Sequence, residues 1–286
     1  MAQSWRVAII SQVAVAAQGY TEILRALGHE PVVHLAVRRV RPDLEPPPQV
    51  RDFLTRTFKE SPPDLDLVFP AHSRSLAPLL RAYDVDLAIC TGFPWRIPAD
   101  ALAVPRLGIV NGHPSLLPRY RGPIPVAWAV RNGDTEFGLT YHLMDEQFDT
   151  GNVLAQAPIP FDDEWSFEEL NSKLAGAAAE LVPIALGRLA AGDRGDPQTG
   201  GDYHSLFEDE YMFVDLSKPA ADVQRQARAW NFAFSRGPQG PILERDGGRI
   251  RLVRTSLTEV EGAERLDCAD APLWIVESEP AQESLA

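Results

Sequence analysis

The residues best suited to chemistry lie in one stretch, Gly108 to Gly122, reading GIVNGHPSLLPRYRG. Asn111 and His113 stand two apart at the end of a short apolar run. In an extended chain, residues two apart point to the same side, so an amide and an imidazole would face one space together. Pro114 holds His113 to extended dihedrals, which supports that geometry. The spacing fits a hydrogen-bonded structural histidine as well as a catalytic one. A second polar loop, MDEQFDTG, carries Asp149. Each loop follows a strand of what reads as one sheet, and ligands of open α/β sheets bind beyond the carboxyl ends of strands. Asp149 is therefore expected near Asn111 and His113. No Ser, Cys or Lys is set beside a base as a nucleophile, and no metal-ligand spacing occurs. An Asn-His-Asp set of this kind suits direct attack by a substrate amine on a bound carbonyl. The Asn and a protonated His would donate to the developing oxyanion, while the Asp orients the His, favours its charged form and moves protons.

The elements that must position these residues read as an α/β protein. Val7 to Ile10 is a continuous apolar run, as in a strand buried on both faces. A helix follows, with Thr21, Ile23, Leu24 and Leu27 along it and an end near Gly28; a second strand spans Glu30 to Leu35. This β-α-β opening predicts a mostly parallel, Rossmann-like sheet covered by helices. The turn SQVAVAA lacks the glycines that let a backbone approach a pyrophosphate, which argues against a dinucleotide cofactor. Further strands are expected at Leu67–Phe69, Asp86–Cys90, Phe137–Leu143 and Asn152–Ile159. Helices are expected at 50–59, 75–83, 99–104 and 123–131. In the strand 137–143, Gly138 and Thr140 should face one way and Phe137, Leu139 and Tyr141 the other. Ser166 and Glu169 form a capping box for a long helix. Its core stripe should be Leu170, Leu174, Ala177, Leu181 and Ile184, and Pro183 should kink it.

Gly192 to Tyr203 is rich in Gly and Asp without periodicity, which reads as a linker. The expected organisation is a catalytic domain at 1–192, a linker at 193–204 and a small β-rich domain at 205–286. In the last of these, strands are expected at 211–214, 242–245, 249–254 and 273–276, a helix at 220–230, and a hairpin turn at Asp246-Gly247-Gly248. At 286 residues the chain can bury a core without disulfide or metal support. Two distant cysteines and no membrane-spanning apolar run suit a cytoplasmic setting. Val7 to Ala17 has some look of a signal peptide, but amphipathic helical spacing follows it directly. A net charge of −13 disfavours a nucleic-acid partner at long range. The oligomeric state is not legible.

NGHPSLLPRYRG followed by LMDEQFDTG resembles the formyltransferases that use 10-formyltetrahydrofolate, whose pattern is Asn-x-His-x-Ser-Leu-Leu-Pro-x-x-x-Gly and then an Asp-x-Gly loop. Within that family the chain looks most like the methionyl-tRNA enzymes, and VDLSKPAADVQRQARAWN resembles the start of their carboxyl-terminal domain. The resemblance implies the formyltransferase fold with a small OB-like β-barrel. It implies that Asn111, His113 and Asp149 are catalytic, with Asp149 keeping His113 charged, and that Ser115 and His142 support them. It implies that Phe93, Arg96 and Ile97 of the loop GFPWRIP, with Leu143, Met144 and Asp145, contact 10-formyltetrahydrofolate as co-substrate; no metal is implied. Two departures concern the acceptor. The region VRRVRPDLEPPPQV is shorter and more acidic than the basic insertion of the tRNA enzymes, although Arg38, Arg39 and Arg41 could hold an anion. From Ser205 onward nine Lys and Arg face fifteen Asp and Glu. These departures favour a small primary amine, in an amino sugar, amino acid or biosynthetic intermediate, over tRNA. The alternatives are a methionyl-tRNA formyltransferase, a 10-formyltetrahydrofolate hydrolase and a non-enzymatic folate-binding protein.

Overall fold

The structure is a computed structural model. It describes residues 4–37, 48–161, 165–233, 240–245 and 247–281, with the backbone alone at 48–53 and 167. Arg38, Arg39, Arg41 and Asp246 lie outside the described residues. The chain runs β1 (Arg6–Ser11), α1 (Ala14–Ala26), β2 (Glu30–Leu35), α2 (Pro48–Glu60), β3 (Asp66–Val68), α3 (Leu76–Ala82), β4 (Leu87–Thr91), α4 (Ala99–Leu102) and β5 (Ile109–His113). It continues α5 (Pro125–Arg131), β6 (Glu136–Leu143), β7 (Val153–Pro160), α6 (Phe167–Ala190) and α7 (Ala220–Asn231). The strands β8 (Ile242–Arg245), β9 (Gly248–Ser256), β10 (Glu264–Asp267) and β11 (Pro272–Pro280) close it. Two compact units result. One comprises residues 1–121, 138–160 and 168–202; the other comprises 122–137, 161–167 and 203–286.

The first unit is built on a seven-stranded sheet of order β3-β2-β1-β4-β5-β6-β7. The strands β1 to β5 are mutually parallel, as the β-α-β opening predicts. The chain winds outward from β1 on one side and from β4 on the other, which creates a switch point between them. One face is sealed by Ala8, Ile10, Val33, Leu35, Cys90 and Ile109 against Leu76, Ala77 and Leu80 of α3. Val7, Ala8, Ile9 and Ile10 are all fully buried, so the continuous apolar run is that of a strand covered on both faces.

Several expectations change. β6 runs antiparallel to β5, pairing Asn111 with His142 and Val110 with Leu143, so the acidic loop leaves β6 beside the start of β5 and not beyond its carboxyl end. Strand direction leaves no mark on an apolar pattern when the connection is long enough for either sense. β6 is also buried on both faces from Phe137 onward. In α6, Ile184 is exposed, while Val182, Ala185, Leu186 and Leu189 are buried. A stripe read at 3.5-residue steps drifts off the face of a helix with 3.6 residues per turn. α5 takes Pro125, not Pro123, into its first turn. In the segment expected as a linker, Asp196 bridges to Val153 beside β7, and Arg188 pairs with Asp193 and Asp196.

The second unit holds an antiparallel sheet of order β10-β11-β9-β8, the barrel-like element of the expected fold. α7 packs Ala220, Val223 and Ala227 onto Leu243, Leu252, Leu266, Leu273 and Ile275. Of the strand expected at 211–214, the first half is instead part of a 3₁₀ turn at Asp209–Met212, where the Tyr211 carbonyl is taken by Gln226 Nε2 and Trp230 Nε1 of α7, while Phe213 forms a single parallel bridge to Ile242 of β8. α5 is fixed in this unit through Arg131, which pairs with Glu208 and lies over the rings of Trp128 and Tyr211.

Candidate active site

β5 presents Asn111 and His113 on one side because Gly112 faces the other, where there is no room for a side chain. A Cβ on Gly112 would lie 2.9 Å from Tyr20 Oη and 3.1 Å from the Tyr141 ring. Those two tyrosines share a hydroxyl hydrogen bond of 2.9 Å beneath the strand. Thr91 Oγ1 donates to the Gly112 carbonyl at 3.1 Å, which ties β4 to the same point.

Asp149 Oδ1 is the meeting point of the site. It lies 3.5 Å from His113 Nδ1, 3.4 Å from Asn111 Nδ2 and 3.6 Å from His142 Nε2. The three sequence-predicted residues are thus together, with His142 as a fourth. His142 Nδ1 faces the Leu143 carbonyl at 3.0 Å, so that nitrogen carries the hydrogen. Its Nε2 then accepts from Asn111 Nδ2 at 3.2 Å. This fixes the amide of Asn111 with its NH₂ group toward both His142 and Asp149. His113 is oriented the same way, since Nε2 donates to the Tyr120 carbonyl at 2.9 Å. Its Nδ1 is left for chemistry. Burial pushes the His113 imidazole below its ordinary value, against the upward pull of Asp149 and the Tyr120 carbonyl, and His142 adds to the lowering. Asp149 favours the charged form, but burial outweighs it.

Tyr120 reaches His113 from a left-handed conformation, φ 55°, in the Pro-rich loop. Ser115 is not at the meeting point. Its Oγ donates to the Arg119 carbonyl at 2.7 Å, and its own carbonyl accepts from Thr140 Oγ1 at 2.6 Å, so it shapes the loop after His113.

The acidic loop must double back over the sheet to bring Asp149 to β5. Met144 N donates to the Ile109 carbonyl at 2.8 Å and starts the loop there. Asp145 braces it, accepting from Gln147 N and Thr150 Oγ1 at 2.9 and 2.7 Å. Asp149 adopts φ 58°, a conformation Asp tolerates better than most residues. Gly151 then passes so close to β6 that a Cβ there would lie 1.7 Å from the Leu143 carbonyl. Only glycine fits this return.

The remaining sequence-predicted residues divide. Arg96 and Ile97 line a cleft of about 310 Å³ with Ser73, Pro98, Ala99 and Glu146, and Arg96 Nε donates to the Glu146 carbonyl at 2.9 Å. Phe93 and Met144 pack against the core beside Ile97, and Leu143 is buried. The carboxylate of Asp145 is engaged within its own loop. Gln198, unnoticed in the sequence, touches the loop that bears Asp149; a lone Gln in a Gly-rich stretch carries no signal of it. Among the described residues no group of three or more His, Cys, Asp or Glu is set to hold a metal ion, and no helix is long and apolar enough to cross a membrane.

For a doubly wound sheet with an Asn-His-Asp cluster over β5, the comparisons with known proteins give the class. The profile described as formyl transferase matches residues 56–186. The methionyl-tRNA formyltransferase of Synechococcus sp. (strain JA-3-3Ab) is 36% identical over 184 residues, covering 63% of this chain and 55% of that protein. The methionyl-tRNA formyltransferase of Methylibium petroleiphilum (strain ATCC BAA-1232 / LMG 22953 / PM1) is 30% identical over 227 residues, covering 74% of this chain and 70% of that protein. The chain belongs to the formyl transferase family. It spans about half the length of the first curated relatives it matches. Among solved structures, HypX from Aquifex aeolicus in complex with tetrahydrofolic acid has a TM-score of 0.70 at 19% identity, over 97% of this chain and 44% of HypX. A sugar N-formyltransferase from Shewanella sp. FDAARGOS_354 has a TM-score of 0.62 at 16% identity, over 90% of this chain and 99% of that one. At these identities the likeness is one of fold.

Proposed function

We propose that the chain is an N-formyltransferase that moves a formyl group from 10-formyltetrahydrofolate to the primary amine of a small metabolite. The observation that carries this reading is the convergence of Asn111, His113 and Asp149 on one carboxylate oxygen in a member of the formyl transferase family. The amine would attack the formyl carbon, forming a new C–N bond as the bond to the folate nitrogen breaks. Asp149 accepts the proton that the amine loses and passes it to the departing folate nitrogen, which leaves as the N–H of tetrahydrofolate. Asn111 Nδ2 turns a hydrogen from Asp149 to the oxyanion, and His113 donates from Nδ1, since its Nε2 is committed to Tyr120. A donating Nδ1 requires the imidazolium form. Burial makes that form costly, and its stabilisation grows as negative charge develops on the formyl oxygen. This difference between ground and transition state is what lowers a barrier. The cleft beside Arg96 and Ile97, at about 310 Å³, is at the small end of ligand-site volumes and has room for one part of the folate, not the whole.

The acceptor is argued from charge and from relatives. Arginines that could have offered the second unit's sheet to tRNA are paired with carboxylates: Arg245 with Glu264 at 2.5 Å, Arg249 with Glu244 at 2.5 Å, Arg251 with Glu279 at 3.0 Å and Arg265 with Asp267 at 2.8 Å. With a net charge of −13, this favours a small amine. The sugar N-formyltransferase neighbour is in keeping with that choice. A second reading, formylation of methionyl-tRNA, is favoured by the names of the relatives that match at 30–36% identity. The test is tetrahydrofolate release from 10-formyltetrahydrofolate with a panel of amino sugars and amino acids, with charged initiator tRNA, and with no acceptor. Release with a small amine supports the proposal, and release with tRNA alone supports the second reading. Acceptor-independent release would indicate a hydrolase. No release in any arm overturns all three.

A further inference from the structure

The doubled-back loop is held from a residue 49 positions downstream. Gln198 Nε2 donates to the Asp149 carbonyl at 2.9 Å and to the Gly151 carbonyl at 2.7 Å. Both of its hydrogens are therefore spent on the two carbonyls that flank Thr150. Its Oε1 accepts from Arg121, at 2.9 Å from Nη2 and 3.3 Å from Nε. Arg121 ends the Pro-rich loop whose Tyr120 carbonyl orients His113. One amide thus joins the two loops that carry the reacting groups. Its orientation is dictated, since carbonyls lie on one side and a guanidinium on the other.

The need for such a clamp follows from the fold. β6 delivers the acidic loop beside the start of β5, and the loop must return to reach Asn111 and His113. Asp149 sits at φ 58° in that return. Its carboxylate is 3.4–3.6 Å from each partner, a set of distances that a small loop movement would lengthen past any useful contact. A 1 Å misplacement can cost about 100-fold in rate.

We propose that Gln198 is a positioning residue that holds the Asp149 loop in its working geometry and couples it, through Arg121, to the loop behind His113. The proposal rests on Asp149 as the proton acceptor of formyl transfer. It is tested in the full chain with Gln198→Ala, with Gln198→Asn as a milder break should the first variant aggregate, and with Gln198→Glu. Gln198→Ala is expected to lower kcat about 10- to 100-fold and leave KM for 10-formyltetrahydrofolate within about 2-fold. Gln198→Glu keeps the shape and the Arg121 contact but has no hydrogens for the two carbonyls, so it should be no better than Ala. In an Asp149→Asn background, Gln198→Ala should cost nothing further. Hydrogen exchange read by mass spectrometry should quicken in the peptide covering 145–152 and stay unchanged in the strands. An unchanged kcat, an equal penalty in the Asp149→Asn background, or unchanged exchange in that peptide would each overturn the proposal. If Asp149→Asn itself turned over normally, the functional reading would fall, while the exchange result would still decide whether Gln198 holds the loop.

Discussion

The first unit contains two buried histidines on parallel strands of the same sheet, and they have opposite fates. His34 on β2 is fully buried, and His113 on β5 is 5% exposed. Burial holds both imidazoles below the ordinary value. The difference is in their second nitrogen. His34 has both committed, Nδ1 to Ser61 Oγ at 2.9 Å and Nε2 to the Ser11 carbonyl at 3.0 Å. His113 gives Nε2 to the Tyr120 carbonyl and faces Asp149 at 3.5 Å with the other. Burial and strand position therefore do not distinguish these two histidines. What sets His113 apart is a ring nitrogen that faces a carboxylate, the feature on which its proposed role rests.

Paired substitutions give the widest separation. His113→Ala should lower kcat by about 1,000-fold, the range for a lost proton-transfer or oxyanion group. Its melting temperature should move by only a few degrees. His34→Ala should do the reverse. Turnover per folded molecule should stay within about 3-fold, while stability falls by about 2–4 kcal/mol from the cavity and the stranded partners. Asn111→Ala and Asp149→Asn should follow His113. Steady-state rates and denaturant melts on the same preparations check this, and a His34 variant that loses turnover while remaining folded would dissolve the distinction.

A smaller effect is expected from Gly112→Ala, which leaves both histidines intact and presses a methyl group onto Tyr20 and Tyr141. Overpacking of this kind costs about 1–3 kcal/mol. Because Gly112 lies between Asn111 and His113, the strain should also lower kcat, whereas a similar clash near His34 should not. Denaturant titration with rates measured on the folded fraction separates the two losses.

Much of this arrangement was legible in the residues. The Asn-Gly-His run and the Asp-Thr-Gly loop named the cluster, and the buried run of β1 gave the parallel sheet. The loops meet for a reason the strand pattern does not contain. Asp149 reaches His113 because Gly151 lets the chain fold back against Leu143, not because two loops leave one edge. That return depends on a strand direction that no local pattern encodes. β10 escaped notice because ERLD offers a single apolar residue, Leu266, as suits an edge strand. The stretch 192–203 read as a linker because its contacts run through single side chains such as Gln198, and tertiary hydrogen bonds leave no periodicity. His34 drew no attention, since an apolar run flanking a lone histidine says nothing about which nitrogen is committed.

The last and smallest effect concerns pH. An imidazole whose folded value lies below its unfolded one stabilises the fold in its neutral form. That contribution is complete above the unfolded value near 6.5 and is lost as pH falls below it toward the folded value, because the unfolded chain then binds the proton more readily. His34 and His113 both add to this loss, so stability should fall between about pH 7 and 5. His34→Gln keeps a donor for the Ser11 carbonyl and removes the titration. It should flatten the decline across that interval, within the ceiling of about 1.4 kcal/mol per pH unit that applies to any single group. His113→Gln should flatten it in the ligand-free protein as well. If only the His34 change flattened the curve, Asp149 would be holding His113 charged against its burial, and its imidazolium would be standing ready before any substrate arrives.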